Sequence, residues 1–304
     1  MSLEFKGVLP AILTPFTADD KIDFTLFAIN LDAQVAAGVD GIILGGSLGE
    51  ASVLSFEEKE QLVVFAVNHL EDKIPVILNI AESSTSNALE LAQLALDWGA
   101  KGLMLLPPMR YKADDRETVQ YFKTIAAATS LPIMIYNNPV DYKIDVTIEM
   151  FEELAECANI TAVKESTRDI TNITRMINKF GQRYKILCGV DTLAMEALIM
   201  GGHGWVAGLV DAFPRETVAI YRLVKAGRID EATSIYRWFM PLLELDLHPK
   251  LVQYIKLAAT ATGIGSEFVR APRLTLAGAE RERILAIINH GLATRPELPE
   301  YLNL

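Results

Sequence analysis

Ile160-Thr161-Ala162-Val163-Lys164-Glu165-Ser166 runs almost without a polar break up to a lysine and then turns polar. A short run with no apolar–polar alternation reads as a strand buried on both faces, as in parallel sheets covered by helices. Thr161–Lys164 is one of eight such candidates. The others are Val8–Leu13, Gly41–Leu44, Val76–Ile80, Gly102–Leu106, Ile133–Tyr136, Lys185–Cys188 and Trp205–Ala207. Segments of helical period separate them: Ala88, Leu91, Ala92, Ala95 and Leu96 fall on one helix face. Ser55-Phe56-Glu57-Glu58 reads as a capping box that opens another helix. Strands that each precede a helix predict an α/β fold, a closed parallel (β/α)₈ TIM barrel rather than an open doubly wound sheet. Gly45-Gly46-Ser47-Leu48-Gly49 follows a strand, but its spacing is not the GxGxxG of dinucleotide sites.

After about Arg228 the strand signal stops, and Ile229–Leu245, Pro249–Thr262 and Ala279–Leu292 read as three more helices. The expected organisation is a barrel catalytic domain over 1–228 and a C-terminal three-helix extension over 229–304. The extension is expected to pack against the barrel or a neighbouring subunit.

The 304 residues are 51% hydrophobic and 22% charged, the balance of a globular chain. With 39 acidic against 28 basic residues the net charge is −11, which repels nucleic acid and anionic membrane surfaces. No apolar run is long enough to span a bilayer, and the N-terminus lacks a basic segment followed by an apolar one. A cytoplasmic location is therefore expected. Cys157 and Cys188, and the scattered His69, His203, His248 and His290, show no metal-ligand spacing, so no metal is expected. These features point to a small-molecule ligand.

In a barrel of this kind, functional groups collect at the C-terminal ends of the strands. Lys164 closes the sixth, Tyr136-Asn137-Asn138-Pro139 the fifth, and Gly45–Glu50 follows the second. A lysine at a buried strand end is desolvated, which favours the neutral amine that attacks ketones to form a Schiff base. The competing reading is a structural lysine that snorkels to solvent or pairs with Glu165. The company Lys164 keeps favours chemistry. A Schiff-base enzyme also needs a group that moves protons on and off the carbinolamine, and a phenol on the adjacent strand suits. A 2-oxo acid brings a carboxylate, for which glycine-turn N–H groups and the Ser47 hydroxyl form a cradle.

At these residues the chain resembles the dihydrodipicolinate synthase/N-acetylneuraminate lyase family of class I aldolases. The likeness runs through Gly7-Val8, Thr14-Pro15-Phe16, Gly46-Ser47-Leu48-Gly49-Glu50, Tyr136-Asn137-Asn138-Pro139 and Val163-Lys164-Glu165. It continues in Gly189-Val190-Asp191, Gly201-Gly202-His203-Gly204 and Val269-Arg270-Ala271-Pro272-Arg273-Leu274. The resemblance implies a barrel with a helical extension, a homotetramer built as a dimer of dimers, and no metal or organic cofactor. It carries over Lys164 as the imine-forming lysine and Tyr136 as the proton-relay tyrosine. Ser47, with the Leu48 amide and Gly46, would hold the 2-oxo acid carboxylate, and Val206 would line the site.

The departures bear on the subfamily. Synthases of this family carry two threonines where this chain has Ser47 and Leu48. The second threonine links the catalytic tyrosine to another reaching in from a neighbouring subunit. The segment that would supply that tyrosine reads Pro107-Pro108-Met109-Arg110-Tyr111, where Tyr111 is the available substitute. The arginine that grips a second carboxylate is replaced by Asp141, which repels such a group; Arg110 and Lys143 are the candidate compensating cations. Met109, Asn138 and Asp141 are expected to read the distal half of the substrate.

This pattern looks more like the branch that deaminates 1-pyrroline-4-hydroxy-2-carboxylate, the expected activity. The alternatives are a 2-keto-3-deoxy sugar acid aldolase or dehydratase, or a pyruvate-dependent 4-hydroxy-tetrahydrodipicolinate synthase. A non-catalytic barrel that binds a 2-oxo acid is the minor alternative.

Overall fold

The computed structural model describes residues 3–108 and 111–304. Among these, eight strands form one parallel sheet: β1 (Gly7–Pro10), β2 (Ile42–Leu44), β3 (Val76–Ile80), β4 (Gly102–Leu105), β5 (Ile133–Asn137), β6 (Ile160–Glu165), β7 (Lys185–Cys188) and β8 (Gly204–Ala207). Their order is β1-β8-β7-β6-β5-β4-β3-β2. A parallel bridge between Ala11 and Ile43, with the Ile12 amide donating to the Ile43 carbonyl at 2.9 Å, joins the two ends into a barrel. The chain is a TIM barrel, as its apolar runs predict.

Where boundaries move, hydrogen bonding explains it. The regular ladder of the Val8–Leu13 run ends at Pro10, Ala11 and Ile12 still bond the neighbouring strands, and the run leaves the sheet at Leu13, whose amide donates to the Asp211 carboxylate at 3.0 Å. In contrast, β5 and β6 extend to Asn137 and Glu165, since those two residues still pair across the sheet. The capping box forms: the Glu58 amide donates to Ser55 Oγ at 3.2 Å, and the Ser55 amide to Glu58 Oε2 at 3.0 Å. Helix Thr85–Asp97 buries Ala88, Leu91, Ala92 and Ala95. Leu96, at the margin of that stripe, stays 49% exposed instead of joining the core.

Beyond β8 the chain is helical. Ile229–Leu243 ends two residues before its expected limit and tightens into a 3₁₀ turn, Glu244–Leu247. Pro241, which has no N–H for the last helical turn, lies just upstream. Leu251–Ala261 and Gly278–Ala293 follow. The 3₁₀ turn and the start of Leu251–Ala261 lie over the C-terminal mouth of the barrel, where Asp246, Leu247 and Leu251 wall a cavity. Among the described residues no helix is long and apolar enough to cross a membrane.

Candidate active site

The cavity, of about 230 Å³, opens where the strands end. Register places its two central side chains: Tyr136 on β5 pairs with Lys164 on β6, and the ammonium lies 4.0 Å from the centre of the phenol ring. Gly189, just after β7, makes room for the lysine, since a Cβ there would come within 2.6 Å of Lys164 Cε. Lys164 is buried. Desolvation lowers its pKa below the ordinary 10.5, against the opposing pull of Tyr142, Asp246, Asp191 and Cys188. The Glu165 carboxylate is engaged elsewhere, accepting from the Thr167 amide at 2.7 Å and Asn172 Nδ2 at 2.8 Å. The competing Lys164–Glu165 pair therefore does not form.

Burial pushes the Tyr136 phenol up to about 12, so it stays protonated at neutral pH, and its oxygen accepts from Asn138 Nδ2 at 3.1 Å. Asn138 also caps the short helical turn Pro139–Tyr142, accepting from the Asp141 amide at 3.2 Å. Its side-chain amide donates to Asp141 Oδ2 at 2.7 Å, which fixes that carboxylate on the cavity wall.

The cradle follows β2. Gly45 adopts a left-handed φ of +66°, and Asn79 Nδ2 holds its carbonyl at 2.8 Å. Gly46 leaves the floor open, with Met104 Cε 3.9 Å from where a Cβ would sit. Ser47 is exposed to the cavity, Leu48 is buried, and both line it together with Val206 of β8. Below them Thr14 Oγ1 donates to the Gly49 carbonyl at 2.8 Å. Glu50, left-handed at φ 57° and fully buried, pairs with Lys256 at 2.5 Å.

Lys164, Tyr136, Ser47, Leu48, Gly46, Val206, Asn138 and Asp141 thus gather in one cavity. Met109 and Arg110 lie outside the described residues. Tyr111 stands 57% exposed and outside this chain's cavity. Lys143 is exposed too: its ammonium donates to the Val140 carbonyl, and it is not among the residues that line the cavity. Its φ of +65° ends the capped turn.

Four further polar side chains line the cavity: Tyr142, Ser166, Arg168 and Asp246. Tyr142 OH lies 2.5 Å from Ser47 Oγ, and its ring meets that of Tyr136 edge to face at 5.6 Å. The signal for it was local, because Asn138-Pro139 is an N-cap followed by proline at the first helical position. Such a turn folds the residue three beyond the proline back toward the strand ends. Ser166 and Arg168 directly follow β6 and fall under the strand-end rule already applied to Lys164. Asp246 comes from the helical extension, and nothing local marks it. Its carboxyl is raised well above the ordinary range by desolvation and by nearby Asp191, against Lys164 and Arg168.

A desolvated lysine, a protonated phenol and a glycine-turn cradle at the C-terminal mouth of a parallel barrel are the equipment of a class I, lysine-imine lyase. The chain belongs to the dihydrodipicolinate synthetase family, whose profile matches residues 4–291. It is 31% identical over 294 residues to a 4-hydroxy-tetrahydrodipicolinate synthase of Methanoculleus marisnigri, covering 94% of this chain and 100% of that one. A synthase of the same name from Bartonella bacilliformis is 30% identical over 286 residues, covering 94% and 97%. Among solved structures, a dihydrodipicolinate synthase of Bacillus anthracis superposes with a TM-score of 0.91 at 26% identity, covering 98% and 100%. A prophage protein of the family from E. coli K12, solved in complex with pyruvate, gives 0.89 at 26% identity, covering 95% and 99%.

Proposed function

We propose that this lyase deaminates 1-pyrroline-4-hydroxy-2-carboxylate. The observation that carries the reading is Asp141, a carboxylate fixed by Asn138 on the cavity wall where a second substrate carboxylate would need a cation. The proposed substrate carries one carboxylate, for the Ser47–Leu48 cradle. Its outer half holds a hydroxyl and, after ring opening, an amine, both of which an aspartate attracts.

In the proposed sequence the neutral Lys164 amine attacks C2 and the ring nitrogen departs as the C5 amine, leaving a Schiff base at C2. Loss of a C3 proton and of the 4-hydroxyl as water, with Tyr136 moving the protons, gives a conjugated imine. Migration of the double bond to C5 makes an iminium that water hydrolyses to an aldehyde and ammonia. A second water frees Lys164. Since one water is lost and two are consumed, the net reaction takes up one water and yields 2,5-dioxopentanoate and ammonia.

The names of the relatives favour a second reading, condensation of pyruvate with aspartate semialdehyde, and Arg168 supplies a cation at the cavity for that reaction. The same imine would also serve cleavage or dehydration of a 2-keto-3-deoxy sugar acid. Purified protein is expected to release one ammonia per 1-pyrroline-4-hydroxy-2-carboxylate consumed and to leave pyruvate plus aspartate semialdehyde unchanged. Consumption of the latter pair without ammonia release from the former would overturn the deaminase reading in favour of the synthase.

A further inference from the structure

We propose that Tyr142 positions the Ser47 hydroxyl proton toward the substrate carboxylate, so that the chain supplies a second phenol to its own site. A hydroxyl has one proton to donate and can also accept. Ser47 Oγ and Tyr142 OH are 2.5 Å apart, so one of them donates to the other. If Ser47 donated, an incoming carboxylate would meet only oxygen lone pairs. If Tyr142 donates, the serine proton is free to face the cavity and bind the carboxylate. Desolvation keeps the Tyr142 phenol protonated and so able to donate.

The geometry is built to hold the two hydroxyls together. Tyr142 sits on the turn capped by Asn138, and the Lys143 amide closes that turn onto the Pro139 carbonyl at 3.1 Å. The Asn138 side chain that caps the turn also donates to Tyr136 OH. One turn therefore sets both phenols, which touch edge to face. On the other side, the Ala51 amide donates to the Gly46 carbonyl and the Glu50 amide to the Ser47 carbonyl, both at 3.2 Å, so the serine backbone is fixed as well. The hydrogen-bonded order is Tyr142 to Ser47 to carboxylate, within a single chain.

The inference rests on the reading of Lys164 as the imine-forming residue, and the test separates the two. Adduct formation is followed by borohydride trapping at increasing pyruvate in the unchanged protein, Tyr142→Phe, Ser47→Ala, the double variant and Ser47→Thr. Tyr142→Phe and Ser47→Ala are each expected to raise the half-saturating pyruvate concentration about tenfold, the loss of one useful hydrogen bond. The trapped fraction at saturation should be unchanged, the double variant should be no worse than either single one, and Ser47→Thr, which keeps the hydroxyl, should recover most of the affinity that Ser47→Ala loses. A merely structural tyrosine would not produce that non-additivity. An unaltered half-saturation in Tyr142→Phe, or shifts that multiply in the double variant, would overturn the role of the tyrosine alone. An unchanged protein that traps no adduct would overturn the imine reading and this inference with it.

Discussion

Lys164→Ala is expected to lose the borohydride-trapped adduct altogether and to lower kcat/KM by about 10⁴-fold or more, as removal of a covalent nucleophile does. The fold should survive, since the residue replaced is next to last in a strand whose ladder uses only backbone groups. In the unchanged protein the trapping rate should rise with pH as the amine loses its proton. Because burial lowers the Lys164 pKa, the midpoint should fall below the ordinary lysine value of 10.5. A midpoint at or above that value, or turnover retained by the alanine variant, would show that the lysine is structural.

The second large effect concerns stability. Lys256 on Leu251–Ala261 and Glu50 beside the cradle are 1% and 0% exposed and face each other at 2.5 Å. Lys256 also donates to the Phe268 carbonyl at 2.6 Å and lies 4.4 Å from the centre of the Phe16 ring. Desolvation pulls its ammonium down to about 8 despite the opposing charge of Glu50. Removing Lys256 leaves the buried Glu50 carboxylate with only Arg273 at 3.6 Å and the Arg270 amide at 3.2 Å to offset its desolvation. Lys256→Met is therefore expected to cost about 3–5 kcal/mol. Thermal denaturation should register this as a fall of roughly 5–10 °C. Replacing both residues with apolar ones of similar volume should recover much of the loss. A single variant that melts within a degree of the parent would refute the assignment.

Much of this was legible in the chain itself, for identifiable reasons. Strands buried on both faces are near-continuously apolar, so runs such as Val76–Ile80 announce themselves and their number selects the barrel. Parallel strands align their ends, so Tyr136 and Lys164 could be paired from their positions alone. The cradle was readable because glycines are concentrated where backbone must approach a ligand. What escaped depends on the path of the backbone between elements. Tyr142 reaches Ser47, 95 residues away, only because a four-residue turn doubles back. Asp246 reaches the mouth only because a helix tightens into a 3₁₀ turn after Pro241. Neither event has a periodic signature.

The junction of β1 and β2 completes the barrel on slender means. The Val8 amide bonds the Asp40 side chain rather than a strand carbonyl, the Asp40 amide bonds the Val8 carbonyl, and Ile12 bonds Ile43. Such a seam is the place where the closed wall should breathe. Deuterium should enter the amides of Ile12 and Ile43 sooner than those of β5 and β6, whose ladder runs unbroken from Met134 and Ala162 to Asn137 and Glu165. The cradle lies at the end of β2, and Thr14 beyond β1 grips it at Gly49. A carboxylate seated there would rivet the two edges together, so ligand should slow exchange at the seam more than anywhere else in the wall.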